Sequence, residues 1–469
     1  MESIIFAATG QEWLVVKHQC IAIYHNLVSW TLVMLGVRRS RLELCPSVGA
    51  LATTADAAHK PQQGRAAVDC VQILAPGGFE QFQLTALGGG GGSEGKNDWQ
   101  LATVGYNVSS SAGVERLPGC ASLVRVRADG SAGVPDDCAL VRVTHFSVNY
   151  ADVTIRWGLY ESALRYVGYP IVPGFDFAGV VEAAGAASGV RAGQTVFGIT
   201  FFGAYTARLV VPGAQLRPQP ARLSRAEAAA LPSVAGTALH ALALAGFWPS
   251  APLLANRAVL IHSAAGGVGS MLVQMARLLG AAPIVAVVGA AHKVETCRAL
   301  GAHAVIDKSS SDLWAAARRA APGGFAAIFD ANGVATLADS YRALARTGRL
   351  VIYGFHTNLP SRTMLSPLAW ARMAWGMARM PRFDPMDIVL ASKAVLGFNL
   401  SFFADERALV DKYLEQIVAW ADAGELVVAR TVELDIAQVP RAHELIQSGQ
   451  SIGKIVIRAA PEQADAASS

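Results

Sequence analysis

The sequence predicts an α/β protein in which a small β barrel is joined to a doubly wound parallel sheet. Three observations predict it. Short strand signals, separated by glycine, proline and polar turns, run from Ala139 to Val211, the texture of a compact barrel. From about Ser224 helix and strand signals alternate, as in a parallel sheet covered by helices. The run Ala264-Ala265-Gly266-Gly267-Val268-Gly269 then stands between a strand signal, Ala258 to Ile261, and an apolar helical pattern that stops at Gly280.

Composition agrees. A chain of 469 residues, 52% hydrophobic and 16% charged, can fill two or three sizeable cores, which excludes a fibrous or wholly disordered protein. A net charge of +4, scattered through helical segments, gives no basis for nucleic-acid binding. The cysteines (Cys20, Cys45, Cys70, Cys120, Cys138 and Cys297) form no C-x-x-C pair. Neither a zinc lobe nor a disulfide framework is suggested, and a reducing compartment such as the cytoplasm fits.

In chain order, residues 1–66 read as an N-terminal extension. Cys20 to Val37 is largely apolar but interrupted by His25 and Asn26, with Arg38, Arg39 and Arg41 behind it. It is marginal for a membrane span and poor as a signal peptide, so anchor, mitochondrial or other targeting segment, and unordered extension all stay open. Residues 67–234 read as the barrel domain. Its first strand signal is Ala67 to Leu74, and a flexible insertion follows at about 85–136, where Gly88 to Gly92 is an unbroken glycine run; one stray strand is expected at Ser122 to Val126. Further strands are expected at Ala139 to Val143, Val180 to Ala183, Thr195 to Ile199 and Ala207 to Val211.

Residues 235–402 read as the parallel-sheet domain, with strands at Ala258 to Ile261, Ile284 to Val288, Ala304 to Ile306, Ala326 to Phe329 and Leu350 to Tyr353, and a helical insert at about 360–390. Residues 403–458, with a helix at Glu406 to Ala423 and strands at Val427 to Glu433 and Lys454 to Arg458, return to the barrel, and 459–469 form a disordered tail.

The glycine turn carries the first chemistry. Strand, glycine turn and helix is the context that cradles a dinucleotide pyrophosphate: Gly266 lets the backbone approach it, Gly269 lets the helix pack close, and the helix N-terminus offers free N–H groups. Ala265, Gly266, Gly267, Val268 and Gly269 are the candidate phosphate cradle, although Ala264 stands where the usual fingerprint has its first glycine. The competing account is an ordinary tight turn. An NAD-binding fold places an acidic residue about 20 residues on, at the end of the second strand. Here that strand ends Val287-Val288-Gly289-Ala290, and His292, Lys293 and Lys308 follow. A cationic pocket without a carboxylate suits a 2′-phosphate, hence NADPH. Solvated surface lysines are the alternative.

Several segments resemble a known family. They are Ser147-Val148-Asn149-Tyr150-Ala151-Asp152, Gly158-Leu159-Tyr160, Pro173-Gly174-Phe175-Asp176-Phe177-Ala178-Gly179-Val180-Val181, Glu227-Ala228-Ala229-Ala230-Leu231-Pro232, Thr237-Ala238, Gln274 and Arg277 behind the glycine turn, and Gly453-Lys454-Ile455-Val456. Together they look like the zinc-free quinone oxidoreductase branch of the medium-chain dehydrogenase/reductases. Ala369 to Phe383 and Gly397-Phe398-Asn399-Leu400 are similar to an insert of the VAT-1-like proteins in that branch. The resemblance covers residues 139–458. It implies a GroES-like β barrel, a Rossmann NADP-binding domain and a homodimer.

It also implies roles. Zinc-bearing relatives place cysteine where this chain has Asn149 and Gly-His-Glu where it has Gly174-Phe175-Asp176, so no metal site is expected, a catalytic zinc needing three Cys, His or carboxylate ligands. Reduction of a quinone or enone then fits better than alcohol oxidation, because the acceptor already stabilises added charge. By the same likeness Asn149 hydrogen-bonds the acceptor carbonyl, with a capping asparagine as the alternative. Tyr150 lines the cleft or packs in the core. Thr154 stands where some relatives carry a tyrosine. Thr237, Tyr353, Gly354, Phe398, Asn399 and Leu400 contact the cofactor, or else belong to ordinary helix and strand-end packing.

In the insert, Trp370, Met373, Met377 and Met380 share one helical face and Arg372 and Arg379 another. A packing helix over the cleft or a subunit contact is the first reading, and peripheral membrane contact the second. The resemblance to VAT-1-like proteins, which are linked to membranes and phospholipid handling, also implies a competing function: a membrane-associated NADPH-binding protein with a lipid-related role and little turnover.

Overall fold

The structure is a computed structural model and describes residues 70–85, 99–104, 115–116, 123–127, 134–249, 256–356, 367–403 and 406–459. All belong to the compact unit Ala66–Ser469. The expected N-terminal extension, the Gly88 to Gly92 run and the tail beyond residue 459 lie outside the described residues.

The first half forms a curved sheet with a two-stranded ribbon beside it. The ribbon is β1 (Cys70–Ile73) and β2 (Phe82–Thr85). In the sheet, β3 (Trp99–Val104), β4 (Glu115–Arg116) and β5 (Leu123–Arg127) precede β6 (Cys138–Val148), β7 (Asp176–Ala184), β8 (Thr195–Ile199), β9 (Arg208–Pro212) and β10 (Leu216–Pro218), ordered β10-β8-β7-β6-β9-β3-β5-β4. Its long central strand β6 buries Val141, Val143 and Phe146 against Phe177, Tyr205 and Leu209 in the barrel core. The reading of residues 85–136 as a flexible insertion with one stray strand needs correction. β3 pairs with β9 and β5, and β4 pairs with β5, so three strands of this segment join the sheet. Glycine-rich composition masked the short β-branched runs that pair there.

The second half is a six-stranded parallel sheet: β11 (Val259–Ile261), β12 (Ile284–Val288), β13 (Ala304–Asp307), β14 (Phe325–Asp330), β15 (Leu344–Ile352) and β16 (Ala394–Gly397). The order β13-β12-β11-β14-β15-β16 reverses beside β11, and such a switch point leaves a crevice at the strands' carboxyl ends. Helix Gly267–Leu278 is buried from Gly269 to Ala276 because it lies between this sheet and helix Pro232–Leu244. β16 is not among the strands expected from the sequence.

The chain then returns with β17 (Thr431–Asp435) and β18 (Lys454–Arg458), and β18 runs antiparallel to β6. The return begins later than residue 403. In helix Arg407–Ala423, Tyr413, Ile417 and Ala421 recur every four residues and pack into the parallel-sheet core with Leu239 and Leu242. The insert contains helices Pro367–Ala378 and Pro385–Ala391. Among the described side chains its most exposed aromatic is Trp375, not a member of the expected stripe, and Arg379 lies over that ring at 5.2 Å.

Candidate active site

The register of β6 against its two neighbours assembles the polar end of the site. Phe146 faces Phe177 across β6 and β7, which brings Ser147 opposite Asp176 at the next step. Val148 faces Ile455 across β6 and β18, which sets Asn149, just past the strand, beside Lys454. Ser147 Oγ donates to Asp176 Oδ2 at 2.9 Å, and Asn149 Nδ2 donates to the same oxygen at 2.7 Å. The backbone N–H of Ser233 donates to Asp176 Oδ1 at 2.7 Å. Lys454 Nζ donates to Asn149 Oδ1 at 2.6 Å and to the carbonyl of Val148 at 3.2 Å, and sits 3.6 Å from Asp176 Oδ2. Asp176 is fully buried and Lys454 is 4% exposed, so their charges compensate each other where water cannot.

Of the two parts considered for Asn149, the cap is the one on view. Its backbone caps helix Tyr150–Arg156 through N–H donation to Asp152 Oδ2 at 2.8 Å, while its side chain turns to Asp176 and Lys454. Asp152, fully buried, also accepts from the N–H of Gly174 at 3.0 Å, and burial raises its carboxyl from 3.8 to about 7.

Beside this cluster opens a cavity of about 1250 Å³. Asn149, Tyr150, Thr237, Ala265, Gly266, Gly267, Val268, Gly269, Lys293, Lys308, Tyr353, Gly354, Phe398, Asn399 and Leu400 all line it, so every candidate residue borders one space. At the glycine turn the contacts are backbone contacts. Gly266 is the N-cap of helix Gly267–Leu278. A Cβ on Gly269 would lie 2.4 Å from the carbonyl oxygen of Ser263 and 2.6 Å from Ala264 Cα, closer than a side chain can sit.

The two lysines differ. Lys293 is buried, and its Nζ donates to the carbonyl of Gly449 at 2.6 Å. It is thus neither a solvated lysine nor an open cation, and burial lowers its pKa. Lys308 follows β13, its backbone N–H donates to Val288 at the end of β12, its stem reaches over Gly289, and it is exposed.

Tyr150 donates from its hydroxyl to the carbonyl of His356 at 3.2 Å, and burial pushes the phenol up to about 12. Thr154 spends its hydroxyl on the carbonyl of Ala151 at 2.7 Å. Tyr353 and Phe398 stack with centroids 6.4 Å apart, and Phe398 meets His240 edge-on at 4.5 Å. Asn399 accepts from Tyr160 at 3.3 Å and from the N–H of Ser401 at 3.0 Å.

Sequence reasoning missed Lys454, His356, Tyr160 and Ser401 as cavity residues, and took Asp176 only as a poor metal ligand. The Gly453-Lys454 pair opening the last strand was a visible signal for Lys454. Pairing of that strand with β6, which a single sequence does not show, gives it meaning.

Comparison with known proteins agrees with this architecture. Residues 135–221 match the alcohol dehydrogenase GroES-like domain, and residues 267–415 match the zinc-binding dehydrogenase domain. The synaptic vesicle membrane protein VAT-1 of Tetronarce californica is 30% identical over 289 residues, covering 61% of this chain and 72% of that protein. The VAT-1 homolog of Mus musculus is 29% identical over 324 residues, 69% of this chain and 77% of its own. The crystal structure of Escherichia coli quinone oxidoreductase complexed with NADPH superposes with a TM-score of 0.62 at 19% identity, covering 83% of this chain and 99% of that one. The barrel is therefore GroES-like and the parallel sheet a Rossmann domain. The chain belongs to the VAT-1-like, quinone oxidoreductase-like group of the medium-chain dehydrogenase/reductase superfamily.

Proposed function

We propose that the protein binds NADPH and reduces a quinone or an α,β-unsaturated carbonyl by hydride transfer without a metal ion. The observation that carries this reading is the shared cavity: the glycine turn and the amide of Asn149 border one space, so cofactor and acceptor can meet. The site fits a dinucleotide, since Gly266, Gly267 and Gly269 present backbone and no side chain at a helix N-terminus. Reduced nicotinamide would supply the hydride. The chain's own part is to hold the acceptor carbonyl with the Asn149 amide, exclude water with Phe398, Tyr353 and Tyr150, and orient both reactants.

Two further features support the finer points. A catalytic zinc does not suit the donors around Asn149: both oxygens of Asp176 are engaged by Asn149, Ser147 and Ser233, and an ammonium stands 3.6 Å away, whereas zinc wants three Cys, His or carboxylate ligands. For the 2′-phosphate, Lys308 is the stronger candidate, because Lys293 already holds Gly449.

The test follows nicotinamide absorbance while purified protein and NADPH meet a panel of quinones and enals. Oxidation that is lost in Asn149→Ala, with NADPH affinity retained, is the expected result. Tight NADPH binding without oxidation across the panel would overturn it. A second reading, a membrane-associated binding protein, draws on the exposed apolar residues Trp375, Met377, Met386, Val389 and Leu390 of the insert helices, beside Arg372 and Arg379. It requires sedimentation with anionic liposomes that Leu390→Glu abolishes; a dimer burying this face would instead favour the homodimer.

A further inference from the structure

We infer that Lys454 is a positioning residue: together with Asp176 it fixes which way the Asn149 amide faces, leaving one N–H of that amide as the donor for an acceptor carbonyl. The inference rests on the proposed reduction, and it begins from what each partner is able to do. An ammonium carries donors only, and an ionised carboxylate accepts only. Asn149 lies between them, with Oδ1 2.6 Å from Lys454 Nζ and Nδ2 2.7 Å from Asp176 Oδ2. Turned over, the amide would set NH₂ against ammonium and oxygen against carboxylate. The orientation therefore follows from the charges, where an asparagine among neutral partners could sit either way. Nδ2 has two hydrogens, and Asp176 takes one. The other belongs to a side chain that borders the cavity.

The arrangement also links the two ends of the site. Gly453, just before Lys454, donates its N–H to the carbonyl of Ala265 at 2.8 Å. The lysine stem then runs along the glycine turn, so that a Cβ on Gly267 would lie 2.9 Å from Lys454 Cδ. One residue thus leans on the phosphate cradle and grips the amide. A methionine would fill nearly the same volume in this buried position, so packing alone does not call for a charge whose burial is costly. The negative charge that grows on the acceptor oxygen as hydride arrives gives the charge a use: a donor held in place beforehand spends nothing on reorientation.

Lys454→Met tests this, with Asp176→Asn/Lys454→Met as the partner variant that leaves no lone buried charge and so retains the fold. The expected result is about a 10- to 100-fold loss of kcat in both, less than the roughly 100- to 1000-fold for removing a preorganised donor outright, with the KM for NADPH changed less than threefold. In an Asn149→Ala background the same changes should cost almost nothing, because a residue acting through Asn149 loses its effect once Asn149 is gone. A kcat within threefold of wild type, or an equal loss in both backgrounds, overturns the inference. Failure of the proposed reduction is distinguishable, since then the wild type itself oxidises no NADPH. A readout without turnover still decides the inference in that case. With asparagine nitrogen labelled, the Nδ2 protons of Asn149, identified by their disappearance in Asn149→Ala, should be two resolved signals in wild type and shifted or broadened in the double variant. Unchanged signals refute it.

Discussion

The two ends of the cavity are made of different materials. At the cofactor end the site is one continuous stretch from Ser263 to Gly269, and the requirement is that Gly267 and Gly269 carry no side chain. At the acceptor end the contacts come mainly from hydroxyl, amide and charged side chains on three separate segments (Ser147 and Asn149, Asp176, and Lys454), joined by the backbone N–H of Ser233 from a fourth. The first kind of site tolerates variation in its flanks but no added atom; the second tolerates no uncompensated charge. Removing a piece should therefore fail differently at each end.

The largest effect is expected from Asp176→Ala. It strands the ammonium of Lys454, 4% exposed, and frees Ser147, Asn149 and the Ser233 N–H. Breaking a buried pair by removing one partner costs about 3–5 kcal/mol, so denaturant titration should show a loss of that size. Gly269→Ala is the counterpart at the backbone end. The methyl meets Ser263 oxygen at 2.4 Å, and such overpacking costs about 1–3 kcal/mol, with dinucleotide affinity falling as well. A smaller loss for Asp176→Ala than for Gly269→Ala would contradict this division between the two ends.

A pH experiment sharpens the acceptor end. Burial lifts Asp152 from 3.8 to about 7, so the folded chain keeps a proton that the unfolded chain releases near 3.8. The stability this group contributes is fully present below that value and is lost as pH rises through about 7. The slope approaches about 1.4 kcal/mol per pH unit within the window. His240 and His356, drawn down to about 4 by burial, titrate there with the opposite sign, but they are common to wild type and Asp152→Asn. The difference in melting temperature between the two proteins, followed from pH 4 to pH 7, should therefore move against wild type as pH rises. A constant difference would mean that Asp152 is ionised throughout.

The same contrast explains what was legible in the sequence. A glycine turn between a strand and a helix is local, so Gly266 to Gly269 could be read in place, and the alternating pattern after Ser224 gave the Rossmann sheet. The strands Thr195–Ile199, Ile284–Val288 and Lys454–Arg458 have the limits their sequence suggested. The acceptor end depends on register between β6, β7 and β18, strands separated by up to about three hundred residues of chain, and residue spacing says nothing of which side chains meet. The strands inside residues 85–136 were hidden for a related reason: they are held by pairing with β9, not by their own composition. Helix Arg407–Ala423 joined the Rossmann core because its apolar face matched Leu239 and Leu242, a tertiary match and not a property of the helix alone.

The smallest effect concerns the lysines, both offered by the sequence for the 2′-phosphate, with Lys293 ahead of Lys308. Lys308 is exposed at the cavity beside Gly289, where a ribose phosphate would lie if the pyrophosphate rests on the glycine turn. Lys308→Ala should weaken NADPH binding about tenfold, or about 1.4 kcal/mol, and leave NADH nearly untouched, since only NADPH carries the 2′-phosphate. Lys293 ties the Rossmann side to the loop after helix Val439–Gln447 through Gly449, next to the bond between His292 and the carbonyl of Gln450. Lys293→Ala should therefore weaken both nucleotides by the same modest factor, because the loop edging the cavity loosens for either. Parallel fluorescence titrations of the two variants with NADPH and NADH separate the cases. Selective loss of NADPH in Lys293→Ala, with Lys308→Ala neutral, would show that Lys293 leaves Gly449 when the phosphate arrives and would reverse the assignment.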